Sequence, residues 1–87
     1  MKAVITVIGK DMVGILAKVS TTCAQANANV VEVTQSILDE YFSMIMLVDI
    51  DNMNFSLEEL KNDIETTVPT MTVHVMHEDI FNSMHRI

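Results

Sequence analysis

Between Val7 and Leu16 the apolar period of the chain changes from about two to nearly four. Val4, Ile5, Val7 and Ile8 form a short apolar run that stops at Gly9. Lys10 and Asp11 follow, then Met12, Val13 and Gly14, and a helical pattern opens at Ile15. The stretch VIGKDMVGIL therefore reads as strand, tight corner and helix start. Gly9 is expected to turn the chain with a positive φ, and Gly14 to let the helix begin close against a sheet with no Cβ between them. Asp11 stands where a carboxylate can accept the N–H groups that a helix leaves unpartnered in its first turn.

The other elements follow from this corner. Lys2–Ile8 is a strand with Ala3, Ile5 and Val7 on one face and Val4, Thr6 and Ile8 on the other; both faces are apolar enough for a central position. Gly14–Asn27 is a helix with Ile15, Val19, Cys23 and Ala26 on its inner stripe. Asn27 or Asn29 can take the left-handed conformation that ends it. Val30–Leu38 is a strand that sets Val31, Val33 and Ile37 against Glu32, Thr34 and Ser36. A two-residue turn, Asp39-Glu40, joins it to Tyr41–Ile50, whose even positions from Phe42 to Ile50 are all apolar. Glu40 is an awkward turn residue, because a positive φ costs a residue with a Cβ about 1 kcal/mol.

Ser56 and Glu59 have the spacing of a capping box, with Phe55 and Leu60 placed as a hydrophobic staple. They open a second helix with Leu57, Leu60, Ile64 and Val68 inward, and Pro69 stops it. Met71–Glu78 is the last strand, and residues 79–87 read as a short helical tail with Ile80, Met84 and Ile87 on one side. The order β-α-β-β-α-β predicts an α+β ferredoxin-like sandwich: a four-stranded antiparallel sheet with two helices on one face. The second sheet face is expected to be bare, with Val4, Ile8, Ile45, Leu47 and Met76 among Thr6, Thr34 and His74.

Composition excludes several roles. The net charge is −7, and the five basic residues form no cluster, which argues against nucleic acid and against an anionic membrane surface. No apolar run approaches the ~18 residues of a membrane span. The amino terminus runs straight into strand sequence, which reads as no leader peptide. One cysteine, Cys23, permits no internal disulfide. A cytoplasmic location is therefore expected. There is no nucleophile–base pair and no paired carboxylates with a credible cleft, so the chain reads as non-catalytic, without a cofactor. His74 and His77 lie three apart on a strand and point to opposite faces; they and His85 make at best a weak metal set.

The fold plan hosts many functions, and the residues narrow it. The first loop lacks the cysteine pair of a metal carrier and the arginine of an acyl-phosphate hydrolase, and the open face lacks the aromatics of an RNA reader. From Lys2 to about Glu78 the chain resembles the ACT domain, a small-molecule-sensing module attached to many enzymes of amino-acid metabolism. The resemblance rests on Asp11-Met12-Val13-Gly14-Ile15-Leu16, which matches the family's D/N-x-x-G-aliphatic-aliphatic pattern in the correct loop, and on Asn29-Val30 at the helix-to-strand return.

It implies an ACT domain over residues 1–78 with a tail at 79–87, as in small stand-alone bacterial members. It also implies an amino-acid-binding regulatory role in a homo-oligomer, a dimer most simply, with an effector protein as a possible further partner. In amino-acid-binding members the ligand lies between two domains, near the first loop and the start of the second strand. The corresponding candidates here are Lys10, Asp11, Met12, Val13, Gly14 and Asn29. Some serine-sensing members carry histidine two residues before the loop acid and asparagine in its place; Gly9 and Asp11 stand there, which argues against serine. The alternative from a different class is a protein-interaction subunit that uses its open sheet face and binds no small molecule.

Overall fold

The computed structural model describes residues 1–10 and 13–84. Its elements are β1 (Lys2–Gly9), α1 (Ile15–Gln25), β2 (Asn29–Leu38), β3 (Tyr41–Asp49), α2 (Leu57–Thr67), β4 (Thr72–His77) and α3 (Glu78–Met84). The four strands form one antiparallel sheet in the order β2-β3-β1-β4. The expected ferredoxin-like plan is therefore present, with β1 central. Ala3, Ile5 and Val7 of β1, Phe42, Met44, Met46 and Val48 of β3, and Val73 of β4 face α1 and α2. The helices close this core with Ile15, Val19 and Cys23 from α1 and Leu60 and Ile64 from α2. Burial of this aliphatic and methionine surface is the main term holding the two layers together.

The ends of the helices are settled by local chemistry. Glu59 N donates to Ser56 Oγ at 3.1 Å, and Ser56 N donates to Glu59 Oε1 at 3.2 Å, which completes the capping box at α2. Phe55, placed by sequence as the staple partner of Leu60, stays 39% exposed. α1 ends at Asn27 rather than Asn29. Asn27 takes φ 63, its N–H bonds to Ala24 O, and Ala28 N–H reaches back to Cys23 O at 2.8 Å. This is the paired bonding of a Schellman stop, with asparagine in the left-handed position. Between the helices, Thr22 Oγ1 lies 3.1 Å from Thr67 Oγ1.

The two corner glycines exchange the reasons that sequence assigns to them. Gly9 has no positive φ; it ends β1, and a Cβ there would lie 2.5 Å from Met71 Sδ. Gly14 is the residue with positive φ (φ 71, ψ 7), it occupies the N-cap of α1, and among the described residues a Cβ there would meet only the end of Lys18, 3.9 Å away. Gly9 is thus a packing glycine and Gly14 a conformational one. Among the described residues no side chain caps α1 at Gly14. The role expected of Asp11 lies outside the described residues. At the β2–β3 turn it is Asp39, with φ 57, that takes the left-handed region, so Glu40 escapes the strain expected of it.

Two further features depart from the sequence reading. β2 carries a bulge between Val30 and Glu32: Val30 pairs with Val48 and Glu32 with Leu47. The extra residue is Val31, so Val30 and Val33 share the inner face and Val31 leaves it. The second sheet face is also not bare. α3 follows β4 without a loop and folds back over that face, where Phe81 lines a hollow together with Val4, Ile45 and Leu47. Val4, expected on an open surface, is 4% exposed. Ile80, read as part of the packing stripe, is instead 56% exposed, and Phe81 takes the inward position. Ile87 lies outside the described residues.

Two measurements check this account. Gly14→Val is expected to cost ~1–2 kcal/mol in a urea melt because a Cβ disfavours the left-handed backbone. Gly14→Asn should cost clearly less, because asparagine tolerates that region; equal losses would point to packing instead. Burial raises the Cys23 thiol to about 11 from its ordinary value of 9.0. A raised acid holds its proton longer in the folded state, so its contribution to stability is fully present below pH 9.0 and fades as pH climbs towards about 11. Alkylation of Cys23 at pH 8 should therefore require unfolding, and fast labelling of the native protein would contradict its place in the core.

Candidate functional site

The candidate residues fall at two ends of the molecule. At the first end is the β1–α1 corner. Lys10 Nζ lies 3.4 Å from Glu40 Oε1 and 5.6 Å from the centre of the Tyr41 ring, so its ammonium is drawn to the β2–β3 turn. Val13 is 83% exposed, and Gly14 is exposed beside it. The first bond of α1 runs from Lys18 N to Gly14 O at 2.9 Å. The N–H groups of Gly14, Ile15, Leu16 and Ala17 therefore have no acceptor within the helix, and the positive end of its dipole opens at this corner. Asp11 and Met12 lie outside the described residues.

At the second end is Asn29, the first residue of β2, paired across the sheet with Asp49. The two line a polar hollow of about 470 Å³ with Asn27 and Asn52. Asn27 Nδ2 donates to Asn52 O at 2.9 Å, which braces the rim. Asp49 Oδ1 accepts from Asp51 N, and the Met1 ammonium is held by Asp51 Oδ1 at 2.5 Å. That bond to Asp51 is the first cause of the raised pKa of the α-amino group. This end of the molecule already holds one ammonium, its own.

The register sets the separation of these ends. Gly9 pairs with Phe42 and Asn29 with Asp49, seven residues apart along β3, which amounts to about 24 Å. α1 runs between them, with Gly14 at its start and Asn29 beyond its stop. One chain therefore does not bring Lys10, Val13 and Gly14 together with Asn29. Sequence reasoning also passed over Asp49, whose signal was available only once the pairing of β2 with β3 placed it opposite Asn29.

The remaining chemistry is limited. Among the described residues no group of three His, Cys, Asp or Glu side chains is placed to hold a metal ion. His74 pairs with Thr6 on one sheet face and His77 with Ala3 on the other. His77 Nδ1 instead accepts from Asp79 N at 3.1 Å, at the start of α3. His85 lies outside the described residues. Among the described residues no helix is long and apolar enough to cross a membrane.

Comparison with known proteins agrees with this fold. The sequence profile of the ACT domain matches residues 2–78. A UPF0237 protein of Clostridium perfringens is 47% identical over 89 aligned positions, covering 100% of both chains. An ACT domain protein from Streptococcus pneumoniae superposes with a TM-score of 0.79 at 34% identity, covering 98% of each chain. The regulatory subunit of aspartate kinase from Thermus thermophilus, in a ligand-free form, shares the fold at 23% identity and a TM-score of 0.64, over 85% of this chain and 49% of that one.

Proposed function

The chain belongs to the ACT domain family, and from that premise we propose that it is a non-catalytic regulatory module that binds a small amino acid or related metabolite where two copies meet. The observation that carries this reading is the separation of the corner from Asn29 by the length of α1. Two copies docked antiparallel along the β2 and α1 edge would place the corner of one beside the Asn29 hollow of the other. β2 suits such an edge: it ends the sheet, and Val31, Ile37 and Leu38 are exposed along it.

The ligand's carboxylate would meet the N–H groups at the start of α1 in one copy. Its ammonium would be shared by Asp11 of that copy and by Asn29 and Asp49 of the other, so that the charged groups are each matched. Lys10, Met12 and Val13 would line the loop side of the ligand. The module would then act on an effector protein in the cytoplasm through the change in pairing. The alternative role, a protein-interaction subunit with no small ligand, needs the second sheet face; α3 already occupies part of it.

The homo-oligomer is tested by light scattering, where a dimer mass or higher is expected at micromolar concentration; a monomer mass throughout would sink the shared site. For the ligand, calorimetry with whichever amino acid raises the melting temperature should give saturable binding. The double change Asp11→Ala and Asn29→Ala should abolish binding and leave the oligomer intact, since Asn29 belongs to no apolar cluster. Equal affinity in both proteins would place the ligand elsewhere, and no response to any amino acid would favour the interaction role.

A further inference from the structure

α3 turns the second sheet face into a groove. Ile8, Ile45 and Met76 on the strands and Phe81 and Met84 on α3 form its apolar walls, around a volume of about 350 Å³. Its polar atoms come from Thr6, Ser43 and His74. The Ser43 hydroxyl lies 3.0 Å from the Ser36 hydroxyl on β2, so it is already partnered towards the sheet edge. Thr6 and His74 are direct cross-strand neighbours and make one polar point amid apolar walls. Apolar enclosure with a few convergent polar groups, at this volume, is the usual form of a small-molecule pocket.

Shape and charge narrow the occupant. Phe81 lines both this groove and a second hollow that includes Val4 and Leu47, so a flat sheet from another copy would have to displace α3 to lie across the face. The groove's volume suits one small molecule rather than a helix. Among the described residues its walls carry no acid and no lysine or arginine, and His74 is their one titratable side chain. With a net charge of −7 the whole chain repels anions, and among the described residues no wall group carries the negative charge that would reward a strong cation.

We propose that this groove is a second binding site, for a neutral and largely apolar small molecule the size of an indole, whose single hydrogen-bonding group meets Thr6 and His74. The site is formed on the sheet face away from α1, α2 and the Asn29 hollow, so it stands independently of the amino-acid site. α3 forms its outer wall. A helix of 7 residues has little stability of its own, so a ligand that packs against Phe81 and Met84 would also hold α3 on the sheet.

The test is a titration of the full chain, carrying ¹³C-labelled isoleucine and methionine methyls, with indole. Saturable shifts are expected at Ile8, Ile45, Met76 and Met84, while Ile5, Met44 and Met46 of the main core stay still. Thr6→Phe, which fills the groove, should weaken binding by about tenfold or more. Should that variant fail to fold, Ile45→Gln alters a wall residue that is 41% exposed and should weaken binding by about threefold. No saturable shift into the millimolar range, or shifts centred elsewhere, would overturn the proposal. So would unchanged affinity in the folded variants. Shifts at those four methyls that follow protein concentration without indole would show the face closed by a second copy, and would overturn it as well.

Discussion

Everything in this molecule is arranged about β1. It is hydrogen-bonded along both edges, to β3 on one side and β4 on the other, and its residues Ala3, Ile5 and Val7 lie at the middle of the main core. A strand so placed has no free edge and no free inner face, so its exits are tightly constrained. At Gly9 the backbone runs so close to Met71 that a Cβ would force the Met71 thioether to move. At Gly14 the chain re-enters regular structure through a left-handed residue. The corner is formed because the central strand must hand over to a helix within five residues without exposing the core.

That hand-over sets the electrostatic layout. α1 starts at the corner with N–H donors that have no acceptor within the helix and stops at Asn27, next to Asp49 and Asn52. One end of the helix layer is thus suited to a carboxylate and the other to an ammonium. An amino acid carries both groups within a few ångströms, far less than the length of the helix. Under the proposed amino-acid role, the two ends would meet a single ligand only across two copies, and association would then be part of the binding site rather than an accessory to it.

The second face shows how a small domain disposes of apolar surface. Val4 does not belong to the main core; it is buried on the opposite side of the sheet, among the residues around Phe81. α3 gives the sheet a partial third layer. Because the helix is short and covers only part of the face, it leaves concave apolar surface rather than a sealed core.

The sequence by itself determined what local chemistry and periodicity carry. The order of the six main elements, the inner faces of β1 and β3, the capping box of α2 and the stop before Pro69 all follow from spacing within a few residues. The candidate residues of the corner and Asn29 were legible as a motif, but not their separation, because register between strands is a non-local quantity. Tertiary structure decided the rest. Gly9 and Gly14 were visible as special, yet which one avoids a clash and which one takes a positive φ depended on where Met71 lies. The bulge that removes Val31 from its face appears only when β2 is matched against β3. Phe81 rather than Ile80 turns towards the sheet, a choice made where α3 begins at Glu78 directly after β4 and packs back on the sheet.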